Sequence, residues 1–380
     1  MRRGSISERG RARSRLRQVL ANTRLSAYSA FIACTVGAVA CGPVFAAVGG
    51  TPSHPQSPVS ELMMGNHQGY AKPSPLQTSV WNPLLVGSRR TLTYEDVDGC
   101  RETLYLFEPV HVNPGQALPT VVYFHGGSLI SGSAVIRKGQ KYRKEWIISE
   151  IERSLVNDGF AFASVNYRLA PKYKWPSQID DAKASVQYLQ AHASSLHLNP
   201  NAITTIGDSA GGALASLVGL TMQEKTKSSE IADSGTSNPT NTSNTSIRAV
   251  VDLFGPVDRS YYADKWLAKF GSRPTPAFGV LTPQLIRDAS AVSYVRSGDP
   301  PFLIVQGKQD PVDPPRLSLE LYDKLQAQGD HPQLLLVNHA SHELVPVGGN
   351  PSPSIPTVVQ RIVSFIEQNG QASDSQQVSV

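Results

Sequence analysis

The chain is 380 residues long, 40% hydrophobic and 17% charged, with a formal charge of +5. Its length buries a large core and admits one large α/β domain or two smaller ones, while its composition excludes a multi-span membrane protein. The charge excess is local, because residues 1–26 hold eight arginines against the single Glu8. The rest of the chain is therefore slightly acidic and gives no case for a nucleic-acid partner.

The arginine-rich arm leads into residues 27–48, which carry no charge and end in small residues around Ala46 and Ala47. A basic arm, an apolar stretch and small residues describe an export signal, so residues 1–47 are expected to direct the protein to the periplasm or out of the cell. Two retained forms stay open. The stretch approaches the roughly 20 residues that span a bilayer, and Ala38-Val39-Ala40-Cys41 has the outline of a lipoprotein site. Membrane contact is expected only through this segment. Cys34 and Cys41 lie inside it, which leaves Cys100 alone in a processed chain and excludes an intramolecular disulfide there.

Residues 48–80 are rich in Pro, Gly, Ser and Gln and read as a spacer. The folded body is expected over 81–370, with a disordered tail at 371–380. Residues 90–97 and 101–108 alternate apolar and polar side chains around Asp98-Gly99, the signature of a hairpin, with Cys100 as a structural thiol beside its turn. Short aliphatic runs follow at 120–124, 160–165, 202–206, 248–253, 301–305 and 334–337. Between and after them lie helix-like stretches at 147–157, 179–193, 209–223, 316–328 and 357–368. Near-continuous apolar runs suit strands covered on both faces, so the fold class is α/β: a mostly parallel sheet behind an antiparallel hairpin, with helices on both faces. Two segments break the rhythm. Residues 225–246 are polar and low in complexity, and read as a surface insertion. Residues 261–282 mix aromatics with Pro and Gly, and read as an irregular lid or as a loop packing its own rings.

The chemistry gathers at the ends of these strands. Gly207-Asp208-Ser209-Ala210-Gly211-Gly212 follows the 202–206 run and opens a helix of small residues. A G-x-S-x-G pattern is common by chance, but a strand-to-helix reversal this sharp needs glycines on both sides of an exposed nucleophile. Ser209 is the candidate nucleophile. His125-Gly126-Gly127 follows the 120–124 run, and the N–H groups of Gly126 and Gly127, with Ala210, are the candidate oxyanion donors. His125 is expected to brace that loop. A serine needs a base, and the base needs an acid to fix its tautomer. His342 is the favoured base with His339 as the alternative, since both follow the last strand, whereas His331 precedes it. Asp310, after the 301–305 strand, is the favoured acid, with Asp313 as the alternative.

These residues resemble a known family. His125-Gly126-Gly127, Tyr167-Arg168-Leu169-Ala170-Pro171 with Trp175-Pro176 and Asp180-Asp181, and the Gly207–Gly212 run are similar to the hormone-sensitive-lipase-type esterases. The run from Asp299-Pro300-Pro301-Phe302 to Gln306-Gly307-Lys308-Gln309-Asp310-Pro311 resembles the bacterial feruloyl-esterase-like branch. The resemblance implies an α/β-hydrolase fold, a small carboxylic-ester substrate, no cofactor or metal, and a triad of Ser209, Asp310 and His342. The chain departs from the family at Ser128-Leu129-Ile130, where a third glycine or an aromatic is usual. Arg168 is expected to pair with Asp180 or Asp181 rather than to meet substrate. Two other readings remain: an amide, peptide or formamide hydrolase on the same fold, and a non-catalytic binding protein that uses a hydrolase scaffold.

Overall fold

The aliphatic runs form one eight-stranded sheet: β1 (Arg89–Val97), β2 (Cys100–Phe107), β3 (Leu118–Phe124), β4 (Ala161–Val165), β5 (Leu198–Asp208), β6 (Ile247–Leu253), β7 (Phe302–Gly307) and β8 (Gln333–Val337). They lie in the order β1-β2-β4-β3-β5-β6-β7-β8. The β1–β2 and β2–β4 pairs are antiparallel, and every later pair is parallel. This is a computed structural model, and it describes residues 88–97, 99–135, 144–222 and 247–370. The expected export segment (1–47), spacer (48–80), polar insertion (225–246) and tail (371–380) lie outside the described residues, as does Asp98.

The period of two along a strand sends neighbouring side chains to opposite faces. In β7, Phe302 and Ile304 join one apolar cluster, while Leu303 and Val305 join the other. Helices cover both. On the first face lie α2 (Ser177–Ala191), α3 (Ala210–Thr221) and α6 (Pro315–Ala327); on the second lie α1 (Lys144–Asn157) and α7 (Ile355–Gly370). Apolar spacing builds these helices: Leu317, Leu321 and Leu325 of α6 recur every fourth residue and are buried. Cys100 is buried at the hairpin, with its Sγ 2.9 Å from Glu102 Oε1.

Residues 261–282 correct the expectation of an irregular segment. Their first half belongs to α4 (Ser260–Phe270), which ends at Gly271 with φ of +62°. The Pro and Gly residues that suggested irregularity all lie at or after that stop, and Ala263, Lys265, Leu267 and Lys269 are ordinary helix formers. A short helix, α5 (Pro283–Asp288), comes after the segment, capped by the Thr282 hydroxyl, which accepts from Leu285 N at 3.1 Å.

Candidate active site

Parallel strands deliver their carboxyl ends to one edge of the sheet, and the loops that leave β3, β5, β6, β7 and β8 meet there. The turn after β5 holds Ser209 at φ 51° and ψ −122°, a conformation that L-residues adopt only under constraint. Its surroundings leave no room for side chains. A Cβ on Gly207 would fall 2.1 Å from Gly211 O, and one on Gly211 would fall 2.0 Å from Phe124 O. The strained serine is pinned through its own backbone: Ser209 N donates to Leu253 O (2.9 Å), and Ser209 O accepts from Gly212 N (2.9 Å).

The loops after β7 and β8 are laced together. Lys308 N donates to Val337 O, Gln309 N to Ala340 O, and Ala340 N to Gln309 Oε1, each at 2.9–3.1 Å. Gly307 permits this closeness, since a Cβ there would lie 2.4 Å from Ser341 O. The lacing sets His342 beside both partners. Its Nε2 stands 3.1 Å from Ser209 Oγ, and its Nδ1 stands 2.8 Å from Asp310 Oδ2. The Phe254 ring meets the imidazole edge-on at 5.1 Å between centroids.

Asp310 is fully buried and its acceptor sites are well supplied. Oδ1 accepts from Val312 N (2.8 Å) and Asp313 N (3.0 Å), while Oδ2 also accepts from Gln306 Nε2 (3.1 Å). Gln306 is itself fixed, since its Oε1 accepts from Ser318 Oγ (2.8 Å). Burial pulls the His342 pKa down, but the Asp310 hydrogen bond and charge, with the charges of Asp313 and Glu343, outweigh it and leave it raised above 6.5. Of the alternatives, Asp313 lies farther from the ring, with Oδ2 3.8 Å from His342 Nδ1. His339 N and O do not join this chain of contacts; its carbonyl accepts from Val347 N (2.9 Å), and its ring lies against Gly349.

The 125–131 loop is braced from below. Tyr167 stacks on the His125 ring at 4.3 Å, and its hydroxyl donates to His125 O (2.6 Å). His125 Nδ1 lies 2.7 Å from Gly126 O. Asp208, buried next to the serine, takes the Tyr123 hydroxyl (2.6 Å) and Gly126 N (2.9 Å) on Oδ1. Gly126 is therefore a correction. Its N–H is spent on Asp208 and is not open to a substrate oxygen, so the residue holds the loop in place. Among the described residues, the N–H groups of Gly127, Ser128 and Ala210 have no hydrogen-bond acceptor. Ser128 was missed because a serine in place of a third glycine carries no signal of its own, although its φ of +57° marks a strained turn. Tyr123, Asp208 and Gln309 were missed as well, because each acts through a partner distant in the chain, and Gln306 because a glutamine inside a buried strand reads as part of that strand.

Arg168 pairs with Asp181 and not Asp180: Nη2 lies 2.6 Å and Nε 2.9 Å from Asp181 Oδ1, and Arg168 N donates to Oδ2 at 2.7 Å. Among the described residues no group of three or more His, Cys, Asp or Glu could hold a metal ion.

Comparison with known proteins agrees with this architecture. The chain spans about half the length of the curated relatives it matches. It is 29% identical over 218 residues to Esterase LipC of Mycobacterium tuberculosis, covering 56% of this chain and 50% of that one. Among solved structures it superposes on a truncated carbohydrate esterase from gut microbiota with a TM-score of 0.56 at 19% identity, over 76% of this chain and 98% of that one. It also superposes on the propionate-bound esterase Est2 of the planctomycete Thermogutta terrifontis, with a TM-score of 0.55 at 19% identity over 74% and 94%. These likenesses are to α/β-hydrolase folds. The BD-FAE family model matches residues 108–325, a span that contains Ser209 and Asp310 and stops short of His342. With more than half of its length matched and the sheet order of that fold, the chain belongs to the BD-FAE family.

Proposed function

We propose that the protein is a serine carboxylic-ester hydrolase that works through an acyl-enzyme on Ser209. One observation carries the reading: the unbroken chain Ser209 Oγ–His342 Nε2 (3.1 Å) and His342 Nδ1–Asp310 Oδ2 (2.8 Å) at the strand ends of a hydrolase fold. Names among the relatives support the substrate class, since they include esterases and a probable carboxylic ester hydrolase.

In this mechanism His342 Nε2 takes the Ser209 proton as Oγ attacks the ester carbonyl. Asp310 accepts from Nδ1–H, which fixes the tautomer, and its charge stabilises the imidazolium. Negative charge develops on the carbonyl oxygen, and the free N–H groups of Gly127, Ser128 and Ala210 are the donors available to it. The α3 N-terminus adds its partial positive charge at the same place. His342 then protonates the leaving alcohol. The same imidazole draws a proton from water as the water oxygen attacks the acyl carbonyl; the Oγ–acyl bond then breaks, His342 returns the proton to Ser209 Oγ, and the acid leaves. For the segment at 1–47 the proposal is export, checked by N-terminal sequencing of the mature protein.

Turnover of nitrophenyl acetate and butyrate, set against a peptide and a formamide panel, tests the substrate class. Labelling by a fluorophosphonate, with Ser209→Ala as control, tests the nucleophile. Ester turnover and labelling lost in Ser209→Ala are expected. Equal labelling of the variant, or turnover of the amides alone, would overturn the proposal.

A further inference from the structure

Asp310 is not the only carboxylate that addresses the imidazole. Asp313, three residues on, sits with Oδ2 3.8 Å from the same Nδ1 that Asp310 holds at 2.8 Å. Its side chain is 5% exposed, so solvent screens its charge poorly. Nor is it a stray surface group: its Oδ1 accepts the hydroxyl of Tyr262, which reaches over from α4. Arg259, at the start of that helix, lays its guanidinium over the Tyr262 and Phe278 rings, at 5.9 and 5.0 Å from their centroids. A buried carboxylate with an ordered donor and a histidine in reach is oriented, and its orientation depends on a helix far away in the chain.

Resting on the esterase reading above, we infer that Asp313 is a positioning residue for the reaction: held by Tyr262, its carboxylate adds a second negative charge beside His342 and stabilises the imidazolium formed in both acyl transfers. Asp310 fixes the tautomer by direct hydrogen bond; Asp313 acts through space on the same ring. The groups that face this pair are Arg259 just before α4 and Tyr262 from it, Asp252 from β6, Asp310 from the loop after β7, and Glu343 beside the histidine. Of these, Arg259 favours the charged form of Asp313, and Asp310 opposes it. Burial pushes the Asp313 carboxyl up, and the Tyr262 hydroxyl, the His342 charge and Arg259 offset that rise only in part. Loss of the hydroxyl alone therefore weakens the same charge without touching the histidine.

The test is the pH profile of kcat/KM on a nitrophenyl ester for wild type, Asp313→Asn, Tyr262→Phe and the double variant. Removal of a negative charge lowers the histidine pKa, so the acid limb of Asp313→Asn is expected about 0.5–1 pH unit lower. Its kcat is expected to fall about three- to tenfold, with KM held within about twofold. Tyr262→Phe moves the limb the same way by less, and the double variant moves no further than Asp313→Asn alone. A merely structural carboxylate would lower folded yield or kcat without moving the limb. Limbs that stay in place in both single variants of an active enzyme overturn the inference and leave the esterase reading intact. A wild type that turns over no ester overturns the esterase reading itself. If Asp313→Asn does not fold, Tyr262→Phe decides alone: a lowered limb supports the inference, and an unmoved one overturns it.

Discussion

Substitution of Gly126 by alanine places a methyl carbon where the site has no space. Its Cβ would stand 2.4 Å from Asp208 Oδ2 and 2.9 Å from Asp208 O. An ordinary contact needs about 3.5 Å, so the two segments must part by about 1 Å. Asp208 cannot yield, because it is buried, its Oδ1 is held by Tyr123 at 2.6 Å, and it immediately precedes the strained Ser209. The 126–128 loop moves instead, and the free N–H groups of Gly127 and Ser128 move with it. A displacement of 1 Å at a reacting geometry costs on the order of 100-fold, as does loss of one oxyanion donor. The expected fall in kcat/KM is therefore about 100-fold, or about 2.7 kcal/mol of transition-state stabilisation, and it falls on kcat. Overpacking also costs about 1–3 kcal/mol of stability, so the assay runs well below the unfolding temperature of the variant, with its folding checked by circular dichroism. Steady-state kinetics on nitrophenyl butyrate reads the result. A folded Gly126→Ala enzyme within threefold of wild type would refute the idea that Asp208 sets the height of this loop.

Other parts of the structure give outcomes as definite. Because His342 must be neutral to take the serine proton and its pKa is raised, kcat/KM should fall as pH drops through a value above 6.5. Asp310→Asn removes the main cause of that rise, so its acid limb should lie lower and kcat should drop about 10³–10⁴-fold in the same pH series. Burial pushes the Glu152 carboxyl up to about 7, against the pull of Arg153. The unfolded chain ionises this group near 4.5 while the folded one keeps its proton, so the folded state loses stability as pH rises between these values. Glu152→Gln should then exceed wild type by up to about 3 kcal/mol at pH 8 and by nothing below about pH 4.5, as read by urea unfolding. Asp181→Asn removes the carboxylate charge that Nε and Nη2 of the buried Arg168 address and should cost about 3–5 kcal/mol in the same assay.

The parts of the fold that were legible in the sequence are those whose cause is local. The β7 run was visible because both faces of a covered strand are apolar, and α6 because its leucines recur at helical spacing. The Ser209 turn was visible because steric clearance on both sides demands glycine, and two glycines flank it. Residues 261–282 were not legible in this way. Aromatics, prolines and glycines averaged over one window suggested irregular chain, yet the breakers lie on one side of Gly271 and a helix on the other. Nor was the role of Gly126. A glycine beside a histidine reads as an oxyanion donor, but its N–H direction depends on Asp208, which reaches it only across the β3–β5 pairing.

Asp310, the favoured acid, and Asp313, its alternative, share a local pattern, since both are aspartates before proline after the same strand. What separates them is backbone direction. The chain turns at Asp310 so that the N–H groups of Val312 and Asp313 point back at its Oδ1, and Gln306 reaches up from β7 to its Oδ2. That carboxylate accepts three fixed donors besides the histidine, which hold it in place with Oδ2 turned to Nδ1. Asp313 has no such cradle: its anchor is a tyrosine from another helix, which holds the carboxylate 3.8 Å from the ring. A proline after each aspartate removes one backbone donor from both alike, so the sequence pattern is symmetric where the hydrogen bonding is not. The asymmetry comes from Gln306 and Tyr262, whose approach from β7 and α4 is a property of the packed sheet and its covering helices.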